Sequence, residues 1–397
     1  MMCPICLPNK SPSPRFLCFL LMGLTLSSLV TGCGGNDSPT NPIPGVPGSI
    51  SGAIEYSRNR NQAGTIVPIL REGAGGFDSI EVDSPAIAVD GGRPAGDKFL
   101  LYYEADGPGG TTIGLITSSE EDLVPVTLNR TQVVGLGPDS GPYSFGATDP
   151  TVIVDKRGGQ ESSRYKIWFE GRSGSSGQTS TIMYGTSADR VTWSSFAPCQ
   201  GLQVNITQVR IADPCVTLDG NTYKMWFEAV SNTSGGQDGA QSIGYAESAD
   251  GINWTVKGPD GSQGTTAQPV LSPAGGAQFD SYGVGSPSVV HDLQDAAAPW
   301  KLWYEAGNAA VDVQNTIGYA TSMNGISWSR SSFPVLNPSS DSHVPLPFDS
   351  GDLEHPCAIV DSSIPLNLEG HFLLWYSGDS EGSLTPNRIG IVKGWTP

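Results

Sequence analysis

The chain has 397 residues, room for two or three average domains, and is rich in Gly (51) and Pro (31). Its formal net charge of −18 excludes the basic surface that nucleic acid requires. Such acidity is compatible with an exported protein that binds neutral ligands.

Taken from the N-terminus, Lys10 and Arg15 precede an apolar run from Phe16 to Val30 that is short for a bilayer span. The run ends in Val30-Thr31-Gly32-Cys33, which resembles the lipobox of bacterial lipoproteins. That resemblance implies a signal peptide over residues 1–32 and a lipid on the Cys33 thiol. Gly34 in place of Asp favours an outer membrane or cell surface over retention at an inner membrane. Residues 33–49, rich in Gly, Asn, Ser and Pro, read as a flexible tether, and residues 50–397 as the folded part. The membrane is then met through the lipid anchor only, and a monomer is expected. Of the Cys residues downstream of Cys33, Cys215 and Cys357 each follow a repeated proline and read as small core residues; a Cys199–Cys215 bridge stays open.

From about residue 64 onward the chain repeats itself. Five aromatic runs recur: Lys98–Glu104, Tyr165–Glu170, Tyr223–Glu228, Trp300–Glu305 and His371–Ser377. A proline stands upstream of each, at Pro85, Pro150, Pro214, Pro287 and Pro356, spaced 65, 64, 73 and 69 residues apart. Within each unit follow a Gly/Ser-rich turn and an Ile-Gly-Tyr-Ala-like run. Asp-Gly or Asn-Gly turns then lead into Ile-x-Trp, as in Ile252–Trp254 and Ile326–Trp328. No sustained helical period appears. The pattern predicts an all-β, five-bladed β-propeller with four antiparallel strands per blade. The last unit ends one strand short, while Val67–Leu70 before the first unit matches the closing runs of units four and five. The N-terminal strand is therefore expected to close the last blade.

Comparing equivalent positions between units separates scaffold from candidate chemistry. Asp78, Asp280 and Asp349 recur in register and read as turn or cap residues; Glu104, Glu170, Glu228 and Glu305 recur and read as structural. Around the proline the units diverge. Two residues before it stand Asp83, Thr148, Ala212, Gly285 and Glu354; one before stand Ser84, Asp149, Asp213, Ser286 and His355. Asp83, Asp149, Asp213 and Glu354 are thus expected at a channel mouth. Clustered carboxylates there suit glycoside hydrolysis, in which a carboxylate base and a protonated carboxylic acid flank the scissile bond. Neighbouring strand residues face opposite ways, so bringing Asp83 and Asp149 together requires a bend at the strand entry. Alternatively, Asp-Pro merely opens a strand. Phe145, Tyr282, Arg210 and His355 at the same rim suit stacking on, and hydrogen bonding to, a sugar.

These units, with Tyr-Lys-Met-Trp-Phe-Glu228 and Ile243-Gly-Tyr-Ala-Glu-Ser-Ala-Asp-Gly-Ile-Asn-Trp254, resemble the five-bladed arabinanase/levansucrase/invertase superfamily, including glycoside hydrolase families 32 and 43 and related mannoside phosphorylases. The resemblance implies Asp83 or its neighbour as base and Asp149 as the residue tuning the acid's pKa. Where family 43 carries Glu-Gly before the third proline, this chain has Ala212-Asp213, which leaves Asp213, Glu354 or no residue at all as the acid. The Arg-Asp-Pro triplet of family 32 is absent. A channel calcium, seen in some relatives, is compatible; no sequence pattern calls for a metal or other cofactor. Two readings follow: a surface glycoside hydrolase acting on a polysaccharide or oligosaccharide, or a catalytically silent propeller that binds glycan or protein. Two opposed carboxylates in an open pocket would favour the first, and carboxylates tied up by arginines or backbone amides the second.

Overall fold

The computed structural model describes residues 55–61, 66–91, 98–120, 129–174, 179–206, 208–232, 238–307, 315–340, 346–380 and 385–395. The expected signal segment, Cys33 and the tether lie outside them. After β1 (Glu55–Arg58), strands β2 (Glu81–Val89), β3 (Phe99–Gly107), β4 (Gly110–Ser118) and β5 (Thr131–Val134) form the first antiparallel meander. The second is β6 (Gly146–Val154), β7 (Tyr165–Ser173), β8 (Thr179–Ser187) and β9 (Ser194–Pro198). The third is β10 (Gln208–Asp219), β11 (Thr222–Asn232), β12 (Asp238–Ser248) and β13 (Thr255–Val256). β14 (Gly283–His291), β15 (Trp300–Gly307), β16 (Thr316–Ser322) and β17 (Ser329–Arg330) make the fourth; β18 (Leu353–Val360), β19 (Phe372–Gly378) and β20 (Arg388–Trp395) belong to the last. Hydrogen bonding groups the strands into three four-stranded sheets and one of eight, because a single parallel bridge, Thr111 to Gly146, joins the first two meanders.

The N-terminal segment does pair with the end of the chain, but through a different stretch from the one the sequence suggested. β1 runs antiparallel to β20, with Glu55 opposite Trp395 and Arg58 opposite Val392. Val67–Leu70 contributes one bridge, Leu70 to Ile389, like Leu271 on Ile243 and Leu336 on Ile317. Pro68 lacks an N–H, so this run cannot extend a ladder.

Each apolar face is buried against the next unit. Trp226 and Tyr245 of the third meander pack with Trp300, Leu302 and Tyr304 of the fourth; Leu373 and Trp375 of the last pack with Val82 and Leu101 of the first. The innermost strands also touch in succession: β2 with β6, β6 with β10, β10 with β14, β14 with β18, and β18 with β2. Side chains one residue after the repeated proline latch these contacts. Thr151 Oγ1 accepts from Val216 N (3.4 Å), Cys215 Sγ from Val289 N (3.2 Å), Ser288 Oγ from Ala358 N (2.8 Å) and Cys357 Sγ from Ile87 N (3.3 Å). Ala86, the fifth of the set, has no acceptor to offer. Cys199, Cys215 and Cys357 are all free thiols, so no Cys199–Cys215 bridge forms.

The recurrent Asp residues are indeed scaffold. Asp78, Asp280 and Asp349 accept from the hydroxyls of Tyr103, Tyr304 and Tyr376, and pair with Arg130, Arg330 and Arg58. The Asp-Gly and Asn-Gly turns carry Gly251 and Gly325 at φ of 81° and 74°, conformations that favour glycine. Their carbonyls accept from Trp168 Nε1 and Trp226 Nε1 of the preceding unit.

Candidate active site at the strand entries

The bend the sequence demanded is present in all five units. β2, β6, β10, β14 and β18 each carry a bulge at the repeated proline, where two residues oppose one: between Asp83 and Ala86, Thr148 and Thr151, Ala212 and Cys215, Gly285 and Ser288, and Glu354 and Cys357. A bulge is where a proline without a donor can sit inside a sheet. The residue before each proline takes a positive φ: 47° at Ser84, 51° at Asp149, 46° at Asp213, 43° at Ser286 and 48° at His355. None is glycine, so each conformation costs on the order of 1–3 kcal/mol that the surrounding sheet must offset. All five line one narrow cavity of about 70 Å³ between the innermost strands.

His355 joins the two carboxylate levels. Its Nδ1 lies 3.0 Å from Asp83 Oδ1, and its Nε2 lies 3.6 Å from Asp149 Oδ1. Asp83 is further held by Ser84 N (2.7 Å) and Asn387 Nδ2 (2.9 Å). Burial would raise its pKa, but His355 outweighs this and holds the Asp83 carboxyl well below the usual carboxylate range. His355 itself is raised well above the ordinary imidazole value: burial opposes its charge, while Asp83, Asp213 and Asp149 favour it. Ser84 Oγ donates to Asp149 Oδ1 (2.7 Å), and Ser286 Oγ donates to Asp213 Oδ2 (2.8 Å). Asp149 Oδ2 accepts no hydrogen bond among the described residues and faces Arg172 Nη2 at 3.6 Å.

Asp213 behaves differently from Asp83. Burial, followed by the charge of Glu228, pushes its carboxyl up to about 7. Glu228, hydrogen-bonded to Asp213, is also pushed up to about 7, by burial first and by Glu305 in part, against the pull of Arg210. Burial raises Glu354 to about 7 as well, with Asp83 adding to the shift and His355 opposing it. The site therefore pairs an ionised carboxylate with carboxyls that hold protons near neutrality, a division that fits separate base and acid roles.

The recurrent glutamates are more than scaffold. Glu228 Oε2 accepts from Ser286 N (3.4 Å) of the next unit, and Ser377 Oγ, at the equivalent place, accepts from Ser84 N (3.1 Å), so they do support the bulges. Yet Glu228 is also hydrogen-bonded to Asp213, and Glu305 Oε2 lies 3.1 Å from Ser286 Oγ. Three amides went unnoticed in the sequence. Gln241 donates to Glu228 (3.4 Å), Asn315 to Glu305 (2.9 Å) and Glu354 (3.3 Å), and Asn387 to Asp83 and Glu354 (3.2 Å). All three stand two residues before the third-strand Ile of their units, at Ile243, Ile317 and Ile389. A unit-to-unit comparison at that position would have singled them out.

Of the expected sugar contacts, His355 is in the cluster. Arg210 faces Glu228 Oε1 (3.5 Å) and Glu170 Oε1 (3.9 Å). Tyr282 is 43% exposed beside Gly307, and Phe145 is half-buried at the β6 entry, its N–H on the Arg172 carbonyl. Neither ring has a described contact with the carboxylates. Two triads, Asp83–Glu354–His355 and Asp149–Asp213–His355, bring one ligand atom from each residue within 4.8 Å of one another and could hold a cation. A histidine nitrogen with two carboxylates suits a transition ion better than calcium, which takes six to eight oxygens.

No protein-family model matches the chain. An uncharacterised protein of Mycobacterium tuberculosis is 28% identical over 207 residues, which cover 49% of this chain and 60% of that protein's length. Among solved structures, one describes the GH130 family of mannoside phosphorylases, which contains glycoside hydrolases targeting β-1,2 mannosidic linkages in Candida mannan. It aligns with a TM-score of 0.55 at 15% identity, over 87% of this chain and 95% of its own. The catalytic domain of a Coprinopsis cinerea GH62 α-L-arabinofuranosidase aligns with a TM-score of 0.55 at 12% identity, over 87% and 97%. A glycosyl hydrolase from Bacteroides ovatus gives 0.55 at 16% identity, over 86% and 93%. At these identities the likeness is one of fold. The chain has the propeller-like all-β fold of these glycosidases.

Proposed function

We propose that the chain is a five-bladed propeller whose channel mouth hydrolyses glycosidic bonds in a polysaccharide or oligosaccharide. The five meanders, the ring of touching innermost strands and the β1–β20 pairing support five blades. The observation that carries the activity is the division of carboxyl pKa values around His355. Asp213, pushed up to about 7 beside Glu228, is the general acid that protonates the leaving oxygen. Asp83, kept ionised by His355, is the carboxylate that serves as base. Asp149, its Oδ1 turned to His355 and one of its oxygens within 4.8 Å of an Asp213 oxygen, tunes the acid. Glu354 stands in reserve, its amide partners Asn315 and Asn387 fixing its carboxyl. Lipidation at Cys33 would hold the enzyme on the bacterial outer membrane or cell surface as a monomer.

The rival reading, a glycan- or protein-binding propeller without turnover, draws on Asp83, whose oxygens are occupied by His355, a backbone amide and Asn387. A panel of aryl glycosides and polysaccharides, tested with the wild type and Asp149→Asn, separates the two. Turnover that is lost in the variant supports the enzyme. Well-folded protein that binds glycan without turnover supports the rival.

A further inference from the structure

At the far ends of the innermost strands lies a second polar cavity, of about 430 Å³, between the second and third meanders. Asp155, the ion-pair partner of Arg157 on its wall, is six residues beyond Asp149, roughly 20 Å at a strand's rise per residue. Its origin is a missing loop. Gly220 and Asn221 alone connect β10 to β11, with Gly220 at φ 60°, whereas the corresponding connections in the other four meanders run eight to eleven residues. The short turn places Asn221 and Tyr223 on the cavity wall.

The carboxylates beside this cavity and the Gln160 carbonyl are already engaged. Both oxygens of Asp155 take the Arg157 guanidinium (2.9 and 2.7 Å), and Gln160 Oε1 takes Lys166 Nζ (3.0 Å) and Ser163 Oγ (3.1 Å). Asp250 Oδ1 accepts from Ile252 N and Asn253 N, and its Oδ2 from Asn253 Nδ2, all at 2.8 Å. What remains uncommitted among the described residues is a set of donors: Arg157 Nη1, the Gln160 and Asn221 side-chain amides, and the Tyr184 hydroxyl on a side chain only 8% exposed. The Tyr184 hydroxyl reaches solvent at the cavity, and a donor set is satisfied by an acceptor-rich ligand. The volume falls in the range of small-molecule sites.

We propose that this cavity is a second ligand site, on the face away from the carboxylates, for an acceptor-rich anion of sugar size: a uronate or a phosphorylated sugar. The donors meet the carboxylate or phosphate oxygens, and the Tyr184 and Tyr223 rings border the sugar. This goes beyond the proposed hydrolysis, and it stands or falls separately from it.

Calorimetry on the full chain with glucuronate, glucose 6-phosphate, glucose and inorganic phosphate tests the site. At least one charged sugar should bind about tenfold or more tighter than glucose. Asn221→Ala, at an exposed position, and Tyr184→Phe should each weaken that binding by a factor of roughly 3–10, as expected for one lost hydrogen bond. Asp149→Asn should leave it unchanged. Inorganic phosphate that competes identifies the anion as the recognised part; phosphate that does not compete assigns recognition to the charged sugar as a whole. The proposal is overturned by three results: glucose binding as tightly as the charged sugars, neither charged sugar binding at millimolar concentration, or binding lost in Asp149→Asn and retained in both Asn221→Ala and Tyr184→Phe.

Discussion

The paired carboxyls of Asp213 and Glu228 should make the protein less stable as pH rises through neutrality. Asp213 moves from an ordinary 3.8 to about 7 on folding, chiefly through burial. A group raised in the folded state adds stability that is complete below its unfolded pKa and lost as pH climbs through its folded one, here between about pH 4 and 7. Three units correspond to about 4 kcal/mol. Because Asp213 and Glu228 are hydrogen-bonded, their shifts are not independent and that figure is counted once. Asp213→Asn removes the ionisation while keeping size and one carbonyl. The variant should match the wild type within about 1 kcal/mol at pH 4.5 and exceed it by about 2–4 kcal/mol at pH 8. Urea unfolding at both pH values, with m compared to confirm the same transition, reads this directly. A stability difference that is the same at pH 4.5 and pH 8 would refute a buried proton held on Asp213.

Two further outcomes follow from the inner ring. Ser288→Ala removes the 2.8 Å latch to Ala358 N and should cost about 1–2 kcal/mol, whereas Ala86→Ser supplies the missing fifth acceptor and should gain up to about 1 kcal/mol; thermal unfolding measures both. His355→Gln keeps a polar side chain but removes the cation beside Asp83. The Asp83 pKa should then rise toward the ordinary range, visible by carboxyl NMR titration, and glycoside turnover should fall at least about tenfold.

The strands and their order were legible because a proline, an aromatic run and an Asn-Gly or Asp-Gly turn recur with nearly fixed spacing. Comparing units also singled out Asp149, Asp213 and His355, which line one cavity, since their side chains differ where the backbone repeats. The bulge was legible only as a need. Nothing in Asp149-Pro150 or His355-Pro356 announces a left-handed backbone at a residue other than glycine, a conformation that only the folded sheet enforces. The closing strand was misplaced to Val67–Leu70 because that run shares residues with other closing segments, while Glu55–Arg58 pairs through its backbone and carries no such signature. Glu228 was read as scaffold for a sound reason, its recurrence. Its second role arises from its neighbour Asp213, which recurrence of the glutamate alone cannot reveal.

The most direct test of the account is the pH dependence of kcat/KM on the best glycoside of the panel. With Asp213 as a general acid near 7, kcat/KM should fall tenfold per pH unit above about pH 7, and Asp213→Asn should lose the activity. A profile that stays flat to pH 9, or full activity in Asp213→Asn, would contradict it.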